Sequence, residues 1–260
     1  MSASTKHKYT RDLDRLRSIR DNLEKRHRLL QSIRGFFAAR DFLEVETPVR
    51  VAAPLMENHI DLFPSLDAYL RPSPELHMKR LLAAGYAHIY QLGPCFRAGE
   101  RSAKHLSEFC LLEWYRAHTD YFAILHDMRE LLCVCAETLK DDTAETCPRT
   151  SLNITSNWNE TTVDGAFERF ADCTVDEAVA QGLFEEILID QVIPAFAPNK
   201  PLILFDFPKC QGSLARAKPT NSQRVERWEL YIRGIELANA YNELTDCDEQ
   251  EERLRNTISI

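Results

Sequence analysis

The pattern of apolar residues predicts an α+β domain built on a mostly antiparallel sheet, in which helices alternate with strand pairs. Two observations carry this reading. Stretches with apolar residues at steps of three, four and seven recur at Leu13–Phe37 and Tyr121–Leu139. Strand-like stretches come in pairs, most clearly His88–Arg97 and Glu108–Arg116, joined by a polar loop. The frame is ordinary for a globular chain: 260 residues, 44% hydrophobic and 28% charged, enough for a sizeable core in one large domain or two small ones.

In the first segment Leu13, Leu16, Ile19, Leu23, Leu30, Ile33 and Phe37 line one face of a helix of up to about seven turns, and charged residues line the other. Asp41–Pro48 alternates in part and stops at Pro48, as a strand does. Ile60–Phe63 and Ala68–Leu70 read as short strands joined by a turn. Ser73-Pro74-Glu75 opens a helix through about Ala84, with Ser73 as N-cap, Pro74 at the first helical position and Gly85 as the end. After the central strand pair and the Tyr121–Leu139 helix, the polar stretch Asp141–Asn159 reads as a loop. Residues 174–196 read as helical, Pro201–Phe207 as a buried strand, and Val225–Ile232 as a strand interrupted at Gly234 before Ile235–Leu244 resumes as strand or turn.

Composition also excludes. A formal net charge of −8 and a pI near 5.6 argue against a dedicated nucleic-acid binder. No run of about 18 apolar residues exists, so no membrane span is expected. Met1–Arg20 is polar and basic without an apolar core, so no secretory signal is expected and a cytoplasmic location follows. The eight cysteines are irregularly spaced with no Cys-x2-Cys pair, which argues against structural zinc and for reduced thiols; Cys133 and Cys135 read as core filler.

Three places could carry chemistry. On the strand Glu108–Arg116, side chains alternate, so Phe109, Leu111, Glu113 and Tyr115 share one face while Cys110, Leu112 and Trp114 point into a core. A carboxylate on an aromatic face is a candidate site; the alternative is a solvated sheet face. The loop after Arg97, with Ala98, Gly99, Glu100, Arg101, Lys104 and His105, could hold an anion, small residues letting a ligand approach the backbone, or could simply be solvated. Near the end, Glu229, Glu236, Asn239 and Glu243 flank Arg233-Gly234. Hard oxygen ligands of this kind suit magnesium held with a phosphate; the alternative is ion pairing with Arg224, Arg227 or Arg233.

These segments in this order resemble the catalytic core of class II lysyl-tRNA synthetases and, more closely, the stand-alone paralogue family that attaches a β-lysine to elongation factor P. The resemblance rests on Phe36–Arg50 (a first motif), Ser73–Leu82 (SPELHMKRLL), Tyr90–Tyr115 (a second motif), with its Leu112–Arg116 run, and Gly234–Asp246 (GIELANAYNELTD). It implies that ATP and Mg2+ are used, with Arg97 as the catalytic arginine on the α-phosphate of ATP. Ala98, Gly99, His105, Leu106, Phe109, Glu236 and Leu237 would line the ATP site, and Glu229 and Glu236 would hold magnesium. Ser73, Pro74, Glu75, Glu113, Tyr115, Asn239 and Glu243 would form the amino-acid pocket. The implied activity is formation of a lysyl- or β-lysyl-adenylate and transfer of the acyl group to a lysine of elongation factor P, by a homodimer joined through its first motif.

Some 35 residues precede the first motif, so no anticodon-binding barrel is expected and tRNA is not an expected partner. The chain departs from the family at Ala98-Gly99, and at Leu106, which stands where the family often has an amide that contacts ATP. Nothing in it matches the family's third motif, a Gly-rich strand and helix with an arginine on the γ-phosphate. The expectation is one catalytic domain over 1–260, C-terminally incomplete. The alternatives are a degenerate, inactive relative that binds an amino acid or protein, and a truncated lysyl-tRNA synthetase.

Overall fold

The computed structural model describes residues 12–54, 60–99, 101–102, 105–140, 154 and 157–258. The first half is organised around aromatic residues. Helix α1 (Arg20–Ala38) buries Ile33, Phe36 and Phe37. Phe37 stacks on Tyr90 with ring centroids 4.4 Å apart and meets Phe42 edge-on at 5.1 Å. The single long helix expected from Leu13 is divided: residues 12–18 are helical, Ile19 (φ −97°, ψ 3°) breaks the run, and α1 follows. Leu13, Leu16 and Leu23 are exposed, because only the last turns of α1 reach the core.

Strand β1 is only Leu43–Glu44, shorter than the Asp41–Pro48 expected. The reason lies in its backbone partners. The Thr47 N–H donates to the Gln91 side chain (2.9 Å) and the Thr47 carbonyl accepts from Arg71 (2.7 Å), so the chain leaves the ladder for side chains. Strands β2 (Arg50–Val51), β3 (Phe63–Ser65) and β4 (Ala68–Leu70) form a small antiparallel sheet in the order β2-β4-β3. Helix α2 (Glu75–Ala83) has Pro74 at its cap position, one residue later than expected, yet the Ser73 hydroxyl still accepts from the Glu75 N–H (3.1 Å). Strands β5 (His88–Phe96) and β6 (Glu108–Arg116) pair antiparallel over their whole length, and β1 joins β5 in parallel. Helix α3 (Tyr121–Thr138), with Asp120 accepting from Phe122 N–H and Ala123 N–H as its N-cap, packs on α1.

The second half contains two elements the sequence pattern did not announce, β7 (Asn159–Thr162) and α4 (Val163–Phe170). Asn159 therefore belongs to a strand rather than a loop, while 141–153 lie outside the described residues. Helix α5 (Val175–Ala180) opens on a Thr174/Glu177 capping box, and α6 runs over 184–195 with a π turn at Leu188–Val192. Strand β8 (Leu202–Phe205) is followed by the β9 (Ala217–Lys218) and β10 (Asn221–Val225) hairpin, by β11 (Arg227–Ile232) and β12 (Ile235–Tyr241), and by helix α7 (Cys247–Ile258). A four-stranded sheet runs β12-β11-β8-β7, antiparallel except for β7 on β8. Positive φ at Arg233 (54°) and Gly234 (72°) makes the β11–β12 connection a two-residue turn of the kind that matches strand twist.

The fold is thus α+β, as expected, with two sheets sharing a seam. Trp114 of β6 packs both against the α1 aromatic cluster and against the cluster of Tyr121, Leu125, Ile203, Trp228 and Leu230. Two core assignments from sequence need correction: Cys110 and Cys133 are exposed, because β6 and α3 each turn that edge outward. No described helix is long and apolar enough to cross a membrane. Replacing Phe37 by alanine removes the ring that joins α1 to β5. Chemical denaturation is expected to show a loss of about 3–5 kcal/mol; a loss below about 1 kcal/mol would contradict the packing described.

Candidate active site

The segment that leads into the site is anchored by a buried arginine. Arg71, at the end of β4, donates from Nε to the Pro94 carbonyl (3.0 Å) and from Nη1 to the carbonyl (2.7 Å) and hydroxyl (2.8 Å) of Thr47. Its own backbone N–H reaches Val49 and its carbonyl accepts from Phe96 N–H. A side chain at Gly93 would place its Cβ 3.0 Å from Arg71 Nη2, so glycine is needed there for the guanidinium to lie against β5. This clamp fixes the segment that leads two residues later to Ser73 and α2.

Beyond that segment, three carboxylates converge from three elements. Glu75 begins α2, Glu113 lies on β6, and Glu243 follows β12. Glu113 accepts from the Ser73 hydroxyl (3.0 Å) and the Tyr115 hydroxyl (2.6 Å). Glu75 accepts from the Tyr241 hydroxyl (2.7 Å) and from Lys79 Nζ (2.6 Å). Lys79 Nζ also lies 2.5 Å from Glu243 Oε2, and 5.3 Å from the centre of the Tyr241 ring. One helix turn separates Glu75 from Lys79, so α2 presents both to the same space.

Burial dominates the electrostatics. It pushes Glu113 up to about 7, with the Glu75 charge adding and the two hydroxyl donors opposing. It pushes Glu243 up to about 7 as well, against the pull of Lys79. Burial disfavours the Lys79 ammonium, but Glu75 and Glu243 together hold it above its ordinary value. Tyr115 and Tyr241 are both driven well above the usual phenol range by burial and by the adjacent carboxylates. The arrangement is a largely buried group of three carboxylates around one resident cation, a chemistry suited to hold ammonium groups.

On the same face of β6 as Glu113 and Tyr115, Phe109 lies beneath the Arg97 guanidinium, 5.2 Å from ring centre to Cζ. The chain then turns. Ala98 N–H donates to the Asp61 carbonyl (2.8 Å), and Gly99 takes φ 75° with the Asp61 carboxylate against it. Ser102 and His105 close the loop through Ser102 Oγ and His105 Nδ1 (3.1 Å). His105 and Leu106 are exposed; Glu100, Ala103 and Lys104 lie outside the described residues.

The β11–β12 pair presents a second polar face. Arg227, Glu229 and Tyr231 stand opposite Tyr241, Asn239 and Glu236, a register that holds because a bulge shifts the ladder between Leu230 and Tyr231. Glu229 is buried and accepts from Arg227 (2.5 Å) and from the Tyr231 hydroxyl, so one of the arginine pairings considered from sequence is realised. Burial raises Glu229, Arg227 opposes, and the charge of Glu236 adds to the rise. Glu236 itself is exposed, as are its apolar neighbours Ile235 and Leu237; Asn239 donates to it (3.2 Å).

The structure therefore gathers Ser73, Glu75, Glu113, Tyr115 and Glu243 around one space, with Pro74 in the turn that sets it. It places Arg97 with Phe109, and Glu229 near Glu236 and Asn239. Sequence reasoning missed Arg71, Lys79 and Tyr241. Lys79 had a signal, its spacing of four from Glu75; Tyr241 and Arg71 had none, since only the fold brings them to the site.

Glu113 holds its proton to a higher pH in the folded protein than in the unfolded chain, so its stabilising contribution is present at low pH and is lost as the pH rises from about 4.5 through about 7. Glu113→Gln removes that loss. Denaturation curves are expected to show the variant gaining on the wild type by on the order of 3 kcal/mol between pH 5 and pH 8. Parallel pH dependence of the two proteins would contradict it.

Residues 2–259 match the family of class II tRNA synthetases (D, K and N). The chain is 38% identical over 250 residues to an elongation factor P–(R)-beta-lysine ligase of Hamiltonella defensa subsp. Acyrthosiphon pisum (strain 5AT), covering 89% of this chain and 76% of that protein. Proteins of the same name from Yersinia pestis (strain Pestoides F) and Yersinia pseudotuberculosis serotype O:1b (strain IP 31758) are each 38% identical over 253 residues, with the same coverage. The match runs through every segment that builds the pocket, from α1 to the residues after β12, and the chain belongs to the class II tRNA synthetase family (D, K and N).

Proposed function

We propose that this chain uses ATP to activate lysine or β-lysine as an aminoacyl-adenylate and transfers the acyl group to a lysine side chain of elongation factor P. The observation that carries the reading is the enclosed group of Glu75, Glu113 and Glu243, which suits a substrate bearing two ammonium groups. The names of the related ligases support the acceptor.

In the reaction a carboxylate oxygen of the amino acid attacks the α-phosphorus of ATP in line, and the bond to the bridging oxygen breaks to release pyrophosphate. No general base is needed at this step, because the nucleophile is already ionised. Arg97 offsets the charge that develops on the α-phosphate, and Phe109, beside it, offers a face for the adenine. In the second step the ε-amine of the acceptor lysine attacks the acyl carbon, loses a proton, and AMP departs. Glu229 and Glu236, on facing strands, are the carboxylates that would hold a divalent cation accompanying the ATP phosphates: the Glu236 charge adds to the rise of Glu229, and a cation would offset it. Bound there, it would supply charge neutralisation of the phosphates.

We also read the protein as a homodimer. The exposed apolar residues Leu13, Leu16 and Leu23 support this, since such a stripe commonly marks an interface. Sedimentation should give a dimer in the wild type and a monomer in Leu16→Glu/Leu23→Glu; a monomeric wild type would remove the reading.

The functional test is ATP–pyrophosphate exchange by the full-length protein with lysine and with (R)-β-lysine, followed by acylation of elongation factor P read by mass. Exchange that depends on one of these amino acids is expected; exchange with neither would overturn the proposal. Glu243→Gln should lower kcat/KM for the amino acid about 10- to 100-fold, mostly through KM, because a charge-assisted contact to the substrate is lost. The KM for ATP should be unchanged.

A further inference from the structure

Lys79 has no part in the chemistry above, yet it sits inside the amino-acid pocket. Its ammonium bridges Glu75 (2.6 Å) and Glu243 (2.5 Å), carboxylates that come from opposite ends of the chain. The charged and titratable groups around it are Glu75 on its own helix, Glu243 and Tyr241 from the end of β12, and Glu113 and Tyr115 from β6. A surface lysine has water as an alternative partner. This one is largely enclosed, and Glu75 and Glu243 keep it charged against burial, while its ammonium in turn favours ionisation of Glu243.

The charge count is informative. Once Glu113 and Glu243 have ionised, above about pH 7, three carboxylates and one ammonium leave the space with the net charge of two carboxylates. That equals the two ammonium groups of a diamino acid, and exceeds what a substrate with a single ammonium would neutralise. We propose that Lys79 is a positioning residue of the pocket: a built-in counter-cation that bridges Glu75 and Glu243 and favours ionisation of Glu243, so that the charge left over selects a substrate with two ammonium groups. This rests on the functional reading above only for the identity of the ligand; the coupling of Lys79 to the carboxylates is a property of the unliganded protein.

Two measurements test it, and they separate the two claims. The first needs no substrate. Carbon-13 NMR titration of the glutamate carboxyls in Lys79→Gln should place Glu243 at least about one pH unit above its wild-type midpoint, because an adjacent opposite charge has been removed. An unmoved midpoint overturns the proposal. The second is calorimetric binding of L-lysine at pH 7 and pH 8.5. In the wild type the affinity should rise with pH as Glu113 and Glu243 ionise. In Lys79→Gln the ratio of Kd at pH 7 to Kd at pH 8.5 should be at least about fourfold larger than in the wild type, as a one-unit shift requires. A merely structural lysine would weaken binding by the same factor at both values, and that result overturns the proposal. Lys79→Gln/Glu75→Gln removes one positive and one negative charge together and should bring the ratio back towards wild type, as well as guarding against misfolding of the single variant. A double variant that keeps the single variant's ratio also counts against the inference. A wild type that binds lysine at neither pH, while Glu243 shifts as stated in the NMR titration, defeats the functional reading and leaves the counter-cation role standing.

Discussion

The ammonium of Lys79, held between Glu75 and Glu243, is the interaction on which the site depends. Without an internal cation, three partly buried carboxylates from α2, β6 and the end of β12 would repel one another where the segments that carry them meet. The Tyr241 hydroxyl on Glu75 adds a neutral link between the same elements, across 166 residues of sequence. The pocket is therefore also a structural joint between the two halves of the chain, and Trp114, on the other face of β6, is its apolar counterpart.

The arrangement is costly, and the segment that leads into it is anchored. Arg71 is fully buried and spends its donors on the carbonyls and hydroxyl of the 47–48 turn and of Pro94. By doing so it shortens β1, fixes the exit of β4, and sets the turn from which Ser73 and Glu75 emerge. Ser73 then does two things, accepting from the first turn of α2 and donating to Glu113. Local helix capping and the placing of the Glu113 carboxylate thus share one hydroxyl, a coupling that a serine immediately before a proline makes possible.

Much of the fold was legible in the sequence. Alternation and helical periodicity located β6, α3 and β11, cap and turn residues located α2, and a continuous apolar run located β8, which is buried on both faces. The pattern misled where burial was absent: Leu13, Leu16 and Leu23 keep helical spacing but face outward, and the helical run breaks at Ile19. It was silent on β7 and α4, whose strand is four residues long and whose partner lies more than forty residues away in sequence. The site divides in the same way. Glu113 and Tyr115 were readable from strand alternation, and Glu243 from the resemblance. Tyr241, Arg71 and the ion pair of Arg227 with Glu229 depend on which strands meet, which local pattern does not encode.

The central claim is that a diamino acid is recognised by the carboxylates gathered around Lys79. A crystal structure of the full-length protein with bound lysine or (R)-β-lysine tests it most directly. The account predicts both ammonium groups of the ligand within hydrogen-bonding distance of Glu75, Glu113 or Glu243, with Lys79 still paired to one of these carboxylates. Ammonium groups bound away from all three, or a ligand that sits elsewhere while the Lys79 bridge stays closed, would contradict it.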